Sequence, residues 1–180
     1  MSSARPASTV VLVGLSGSGK STVGREAALR LGWQFVDLDS EIEHRTGITV
    51  SDIFSRHGEA FFRGLETDVS AELLNREEGH LVLAPGGGWI TNPAALKLAL
   101  TKSRTIYLKA TPETALARLG TDTSARPLLR VSNPLAALIR LLREREGYYC
   151  QARSVIDTDV LDLQGVINEV VRLAGVNSSQ

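Results

Sequence analysis

The sequence predicts an α/β fold: a five-stranded parallel sheet with helices on both faces, three layers in all. Three observations carry that prediction. Short apolar runs alternate with helically spaced apolar residues along the chain, the order that builds a parallel sheet. The first apolar run, 9–13, ends in Gly14 and opens Gly-x-x-x-x-Gly-Lys-Ser at 14–21, with a helical pattern after it. A length of 180 residues with 43% hydrophobic content suits one compact domain with a full core.

The elements follow in order. Strand 9–13 is Thr-Val-Val-Leu-Val, and helix 20–31 places Val23, Ala27 and Leu31 on one face before Gly32 stops it. Strand 33–37 ends in Asp37-Leu38-Asp39, and short helices are expected at 40–46 and 50–57, closed by Gly47 and Gly58. The longest helix, 59–75, turns Phe62, Leu65, Val69 and Leu73 inward. Strand 80–84 runs into Pro85-Gly86-Gly87-Gly88. Asn92-Pro93 reads as a cap with proline in the first turn, opening a helix to about 100. Strand 105–108 precedes a helix from Thr111-Pro112 to 119. Residues 120–132 are polar and long for a connection, which marks them as a lid. Helix 134–146 carries Leu135, Leu138, Ile139 and Leu142 at helical spacing. Strand 155–157 and helix 164–174, with Val166, Ile167, Val170 and Val171 inward, complete the domain, 9–176. Residues 1–8 and 177–180 read as loose tails.

Composition excludes several classes. Formal net charge is zero, so no global field draws the chain to nucleic acid or a membrane surface. No apolar run approaches the 18 residues or so of a membrane span. The apolar stretch after Arg5 is too short for a secretory signal. Cys150 is the one cysteine, so an intrachain disulfide is impossible and a reducing, cytoplasmic setting fits. It reads as small and buried or half-exposed. His44, His57 and His80 have no partners at zinc-ligand spacing. Tyr148-Tyr149 reads as packing. The basic residues are 16 Arg and 4 Lys, a bias that suits bidentate grips on phosphate and carboxylate.

The chemistry gathers at the carboxyl ends of the expected strands, where open parallel sheets bind ligands. After the first strand, the loop from Gly14 wraps backbone N–H groups around phosphate, with Gly17, Ser18, Gly19, Lys20, Ser21 and Thr22 as contacts. Lys20 reaches the β- and γ-phosphates, and the Ser21 hydroxyl suits Mg²⁺. Asp37 and Asp39, two apart at a strand end, are expected to do different jobs. Asp37 is expected on the metal side. Asp39 either binds and deprotonates an acceptor hydroxyl or caps the following helix. Arg63, between Glu59 and Glu66 at helical spacing, is either a surface ion pair or a fork held for an anionic acceptor. Gly86, Gly87 and Gly88 let a substrate approach the backbone. Arg126 stands in the expected lid, and Arg145 near a helix end.

The order of these motifs resembles the shikimate kinases, within the P-loop nucleoside-monophosphate-kinase-like group. The resemblance runs over about 9–174 through Gly-Leu-Ser-Gly-Ser-Gly-Lys-Ser-Thr, Phe-Val-Asp-Leu-Asp, Phe-Arg-x-x-Glu, the triple glycine, Arg126-Pro127-Leu128-Leu129 and Arg145-x-x-x-Tyr149. It implies transfer of the ATP γ-phosphate to the 3-hydroxyl of shikimate, in the pathway to chorismate and the aromatic amino acids. It implies one Mg²⁺ per subunit near Ser21 and Asp37, and catalytic roles for Lys20, Asp39 and Arg126. Asp39, Arg63, Arg145 and the Gly86–Gly88 turn would bind shikimate, with 38–66 as its segment. Arg118 would stack on adenine, and Arg126 would meet the ATP phosphates. A monomer is expected, with ATP and shikimate as its partners. The chain departs from the family pattern at Pro85, Trp89, Gly147 and Leu161. Two other readings remain: a kinase of another hydroxy acid such as gluconate, and a non-catalytic ligand-sensing domain.

Overall fold

The computed structural model describes residues 8–77, 79–120 and 126–175. Of the expected tails only Ser8 is described, and it opens the first strand. Within the expected lid, 121–125 lie outside the described residues; Pro127–Leu129 forms a 3-10 turn.

The sheet is built on β1 (Ser8–Val13), flanked by β3 (His80–Ala84) and β4 (Arg104–Lys109), with β2 (Gln34–Asp37) and β5 (Ser154–Asp157) at the edges. All four pairings are parallel. The period of two sorts the strands' residues between two cores. Val10 and Leu12 join a core under α1 (Lys20–Leu31) and α8 (Leu163–Leu173). Val11 and Val13 join the larger core on the opposite face. That face carries α2 (Leu38–Thr46), α3 (Val50–His57), α4 (Glu59–Leu74), α5 (Pro93–Lys102), α6 (Pro112–Leu119) and α7 (Pro134–Tyr149). Both cores are well sealed: Leu12 and Leu138 are 0% exposed, and truncating either to Ala should cost roughly 2–5 kcal/mol.

Caps fix where helices begin. Asn92 accepts from the Ala94 and Ala95 N–H, Thr111 from Thr114, and Asn133 from Ala136, each followed by proline. Two helices differ from expectation in ways that matter for the site. α2 starts at Leu38, directly after β2, and its cap is Asp37, which accepts from the Ser40 N–H. Asp39 is therefore in the first helical turn, neither on a strand end nor a cap. α7 runs on through Gly147 to Tyr149. Its buried face is Ala137, Leu138, Leu141, Arg145 and Tyr149, one step round from the expected Leu135, Leu138, Ile139 and Leu142. Packing of the last two turns carries the helix past a glycine that costs about 1 kcal/mol.

Candidate active site

Successive chain segments leave the sheet on either side of β1, so a crevice opens at its carboxyl end. A cavity of about 770 Å³ occupies it. Gly17, Ser18, Gly19, Lys20, Ser21, Thr22, Asp37, Asp39, Arg63, Gly86, Gly87, Gly88, Arg118, Arg126 and Arg145 all line this one cavity.

One side is the loop between β1 and α1. Gly17 has φ +85°, and a Cβ there would stand 2.3 Å from the Ala115 carbonyl oxygen, so only glycine fits. No side chain caps α1, which leaves its first-turn N–H groups for a ligand. Lys20 Nζ donates to the carbonyls of Gly14 and Leu15, both at 2.9 Å. Burial pulls its pKa down to about 8; Asp39 and Asp37 resist the fall, and Arg126 and Arg145 add to it. The Ser21 hydroxyl donates to Asp37 Oδ2 at 2.5 Å, joining the two residues expected on the metal side. Ser18 Oγ is buried without a partner.

The other side is assembled from α2, α4, α7 and the turn after β3. Among the described residues, Asp39 Oδ1 and Glu66 Oε1 are buried and accept no hydrogen bond. Both converge on Gly86, where a Cβ would lie 3.0 Å from Glu66 Oε1 and 3.3 Å from Asp39 Oδ1. Burial pushes the Asp39 carboxyl up to about 6, with Asp37 adding and Lys20 and Arg63 opposing. Burial likewise pushes Glu66 up to about 7, against the pull of Arg63. Arg63 donates from Nη1 to Glu66 at 2.5 Å and from Nη2 to Glu59 at 2.9 Å. Burial alone would lower its pKa, but the two glutamates reverse that and hold it raised. A guanidinium carries five N–H groups, so donors remain for an anion.

The triple glycine is explained by what surrounds it. At Gly88 a Cβ would stand 2.5 Å from Arg63 Nη2. At Gly87 it would stand 3.3 Å from both Arg145 Nη1 and the Tyr149 hydroxyl. Arg145 is buried, and no ion pair to it is found among the described residues.

Toward β5, Arg118 is pinned flat: Nη1 donates to Thr158 Oγ1 at 2.8 Å and Nη2 to the Thr158 carbonyl at 2.7 Å. Leu161, Leu163 and Val166 line the cavity beside it.

Sequence reasoning treated Glu66 only as the partner of Arg63 and passed over its second oxygen, and it read Tyr149 as packing. The row Ala137, Leu141, Arg145, Tyr149, each four apart, was the available signal for a shared buried face on α7. Thr158 had no local motif to announce it. Cys150 is exposed, where a buried or half-exposed residue was expected, because it caps α7 beyond the last buried turn.

Comparison with known proteins agrees with this geometry. The family model described as shikimate kinase matches residues 16–174. A shikimate kinase of Moorella thermoacetica is 42% identical over 161 residues, covering 89% of this chain and 91% of that one. The structure of the Acinetobacter baumannii shikimate kinase in complex with shikimate superposes with TM-score 0.88 at 38% identity, covering 97% of this chain and 96% of that one. A gluconokinase from Sinorhizobium meliloti reaches TM-score 0.58 at 17% identity over 93% of this chain and 91% of that one, a likeness of fold alone.

Proposed function

The chain belongs to the shikimate kinase family, and from that premise we propose how its residues divide the transfer of the ATP γ-phosphate to the 3-hydroxyl of shikimate. The supporting observation is convergence: residues spread from Gly17 to Arg145 line one cavity, with Lys20 at the loop and Asp39, Glu66, Arg63 and Arg145 opposite.

The nucleotide lies along the loop, its phosphates on the N–H groups of Gly17–Thr22, with Lys20 at the β- and γ-phosphates. Arg126, whose charge already acts on Lys20, adds to the phosphate grip. Arg118 offers a fixed plane to the adenine ring. Ser21 and Asp37 supply an adjacent hydroxyl and carboxylate, hard oxygen donors that fit Mg²⁺. When bound, Mg²⁺ neutralises charge on the phosphates.

Arg63 and Arg145 take the shikimate carboxylate. Asp39 takes the hydroxyls with the oxygen that lacks a partner. As the acceptor oxygen forms its bond to the γ-phosphorus and the bond to ADP breaks, the hydroxyl proton passes to Asp39. A carboxyl held at about 6 is still mostly ionised at neutral pH, and is a stronger base than an ordinary Asp. The expected single subunit and cytoplasmic setting are part of this reading.

A coupled ADP-release assay with shikimate, gluconate and no acceptor tests it. ADP release with shikimate alone, dependent on Mg²⁺ and matched by shikimate 3-phosphate in ³¹P NMR, is the expected result. No turnover of shikimate would sink the reading.

A further inference from the structure

We propose that Tyr149 is a positioning residue for the acceptor: its hydroxyl clamps the Gly87 carbonyl and so aims the glycine turn at the substrate. The proposal rests on the shikimate kinase reading above and adds a residue to it.

Tyr149 sits on the buried face of α7, one helical turn after Arg145, and is 0% exposed. Its hydroxyl donates to the Gly87 carbonyl at 2.6 Å across 62 residues of sequence. Burial pushes its pKa up to about 12, with Arg145 and Arg63 opposing, so the hydroxyl keeps its proton at any working pH. Its ring stacks on Tyr107, centroids 5.1 Å apart. Tyr107 in turn is registered with Val13, the last residue of β1 before the phosphate loop. The hydroxyl is thus held from behind by the sheet itself.

What that hydroxyl holds is the peptide plane between two anchored ones: the Gly86 carbonyl accepts from the Trp89 N–H, and the Gly88 carbonyl from the Thr91 N–H and hydroxyl. A trans peptide places C=O and N–H on opposite sides. With the Gly87 carbonyl drawn toward α7, the Gly88 N–H must point away from α7, and Arg63 Nη2 lies against Gly88. Among the described residues, no protein acceptor takes the Gly87 or Gly88 N–H. Glycine permits many conformations here, so something else must choose one. The Tyr149 bond sets the plane between those two anchors, and it fixes the turn relative to Arg145 because both residues share one helix. An acceptor carboxylate bridging Arg63 and Arg145 would then meet backbone donors already oriented, without first ordering them.

Tyr149→Phe tests this, because it keeps the ring stack and removes only the hydroxyl. Wild-type turnover of shikimate is measured first; its failure would overturn the functional reading and not this inference. Given turnover, Tyr149→Phe should raise the KM for shikimate about tenfold, leave the KM for ATP within about twofold, and weaken shikimate binding to nucleotide-free enzyme in calorimetry by the same factor. Gly87→Ala, whose methyl would press on the Tyr149 hydroxyl and Arg145, should raise the same KM and provides the test if Tyr149→Phe folds poorly. An unchanged shikimate KM overturns the proposal. So does an equal rise in both KM values, which would make the hydroxyl a general prop of the fold.

Discussion

The two sides of the cavity are built on opposite plans. On the nucleotide side, the first-turn N–H groups of α1 stay open but the charged side chains bond within the protein: Lys20 bonds carbonyls five and six residues back in its own loop, and Ser21 bonds Asp37. One hydroxyl, Ser18 Oγ, is left over. On the acceptor side, two carboxylate oxygens are buried with nothing to accept from, and the surrounding residues come from four separate elements. An unmet buried carboxylate oxygen costs far more than an unmet hydroxyl. The nucleotide side is therefore a preformed cradle. The acceptor side is an unfinished network, which the proposed polyhydroxylated acid would complete. A site of that kind rejects an analogue lacking the right hydroxyl strongly, because the protein's own groups stay unpaired.

The largest effect should come from Asp39→Asn. We expect kcat to fall about 10³-fold, within the range for loss of a general base, while ATP affinity by fluorescence titration changes less than about twofold. If ATP affinity collapsed with kcat, Asp39 would belong to the nucleotide side and the contrast would break.

The second contrast lies inside the acceptor side. Arg63 already shares its charge with Glu59 and Glu66, whereas Arg145 has no ion-pair partner among the described residues. Arg145→Ala should therefore raise the shikimate KM more, about 30-fold against about tenfold for Arg63→Ala, with the ATP KM unchanged in both. The reverse order would show that the glutamates sharpen Arg63 more than they neutralise it. No change in either would remove the carboxylate assignment.

The same contrast explains what could be read from sequence. The nucleotide side is contiguous, so Gly14 to Ser21 announces it by spacing, and helix α1 begins where expected at Lys20. The strands were legible because buried parallel strands are short apolar runs; Val10 to Val13 are all buried. The acceptor side was legible only as scattered residues, each with an ordinary explanation. Arg63 beside two glutamates looks like any helical ion pair until Gly88 is found against its guanidinium. Asp37 and Asp39 were expected to differ, yet residues two apart on one strand would share a face; Asp37 instead meets Ser21 and Asp39 lies beside Gly86. The chain passes from strand to helix between them, and the cap at Asp37 turns the two side chains apart. The helical spacing of Leu135, Leu138, Ile139 and Leu142 does not fix the buried face of α7, because leucines occur on both sides of it and only its partner surface decides which is inward. Long-range bonds such as Tyr149 to Gly87 leave no local trace.

The last predicted effect bears on stability and gives the two sides opposite pH slopes. Asp39 rises from an ordinary 3.8 to about 6 in the folded protein. Between those values the folded state binds more protons than the unfolded state, so its contribution to stability falls as pH rises through that window. Above about 6 the deficit persists, because a carboxylate is being held in a buried site. Asparagine does not titrate. Asp39→Asn should therefore be more stable than wild type by roughly 3 kcal/mol above about pH 6, with the gap closing toward pH 4. Lys20 works the other way. Its pKa falls from 10.5 to about 8, so the unfolded state binds more protons between those values and stability rises with pH there. Chemical denaturation of wild type and Asp39→Asn across this range separates the two slopes. A gap that stayed flat with pH would mean that the Asp39 carboxyl titrates normally, and that the acceptor side is as well satisfied before substrate arrives as the nucleotide side.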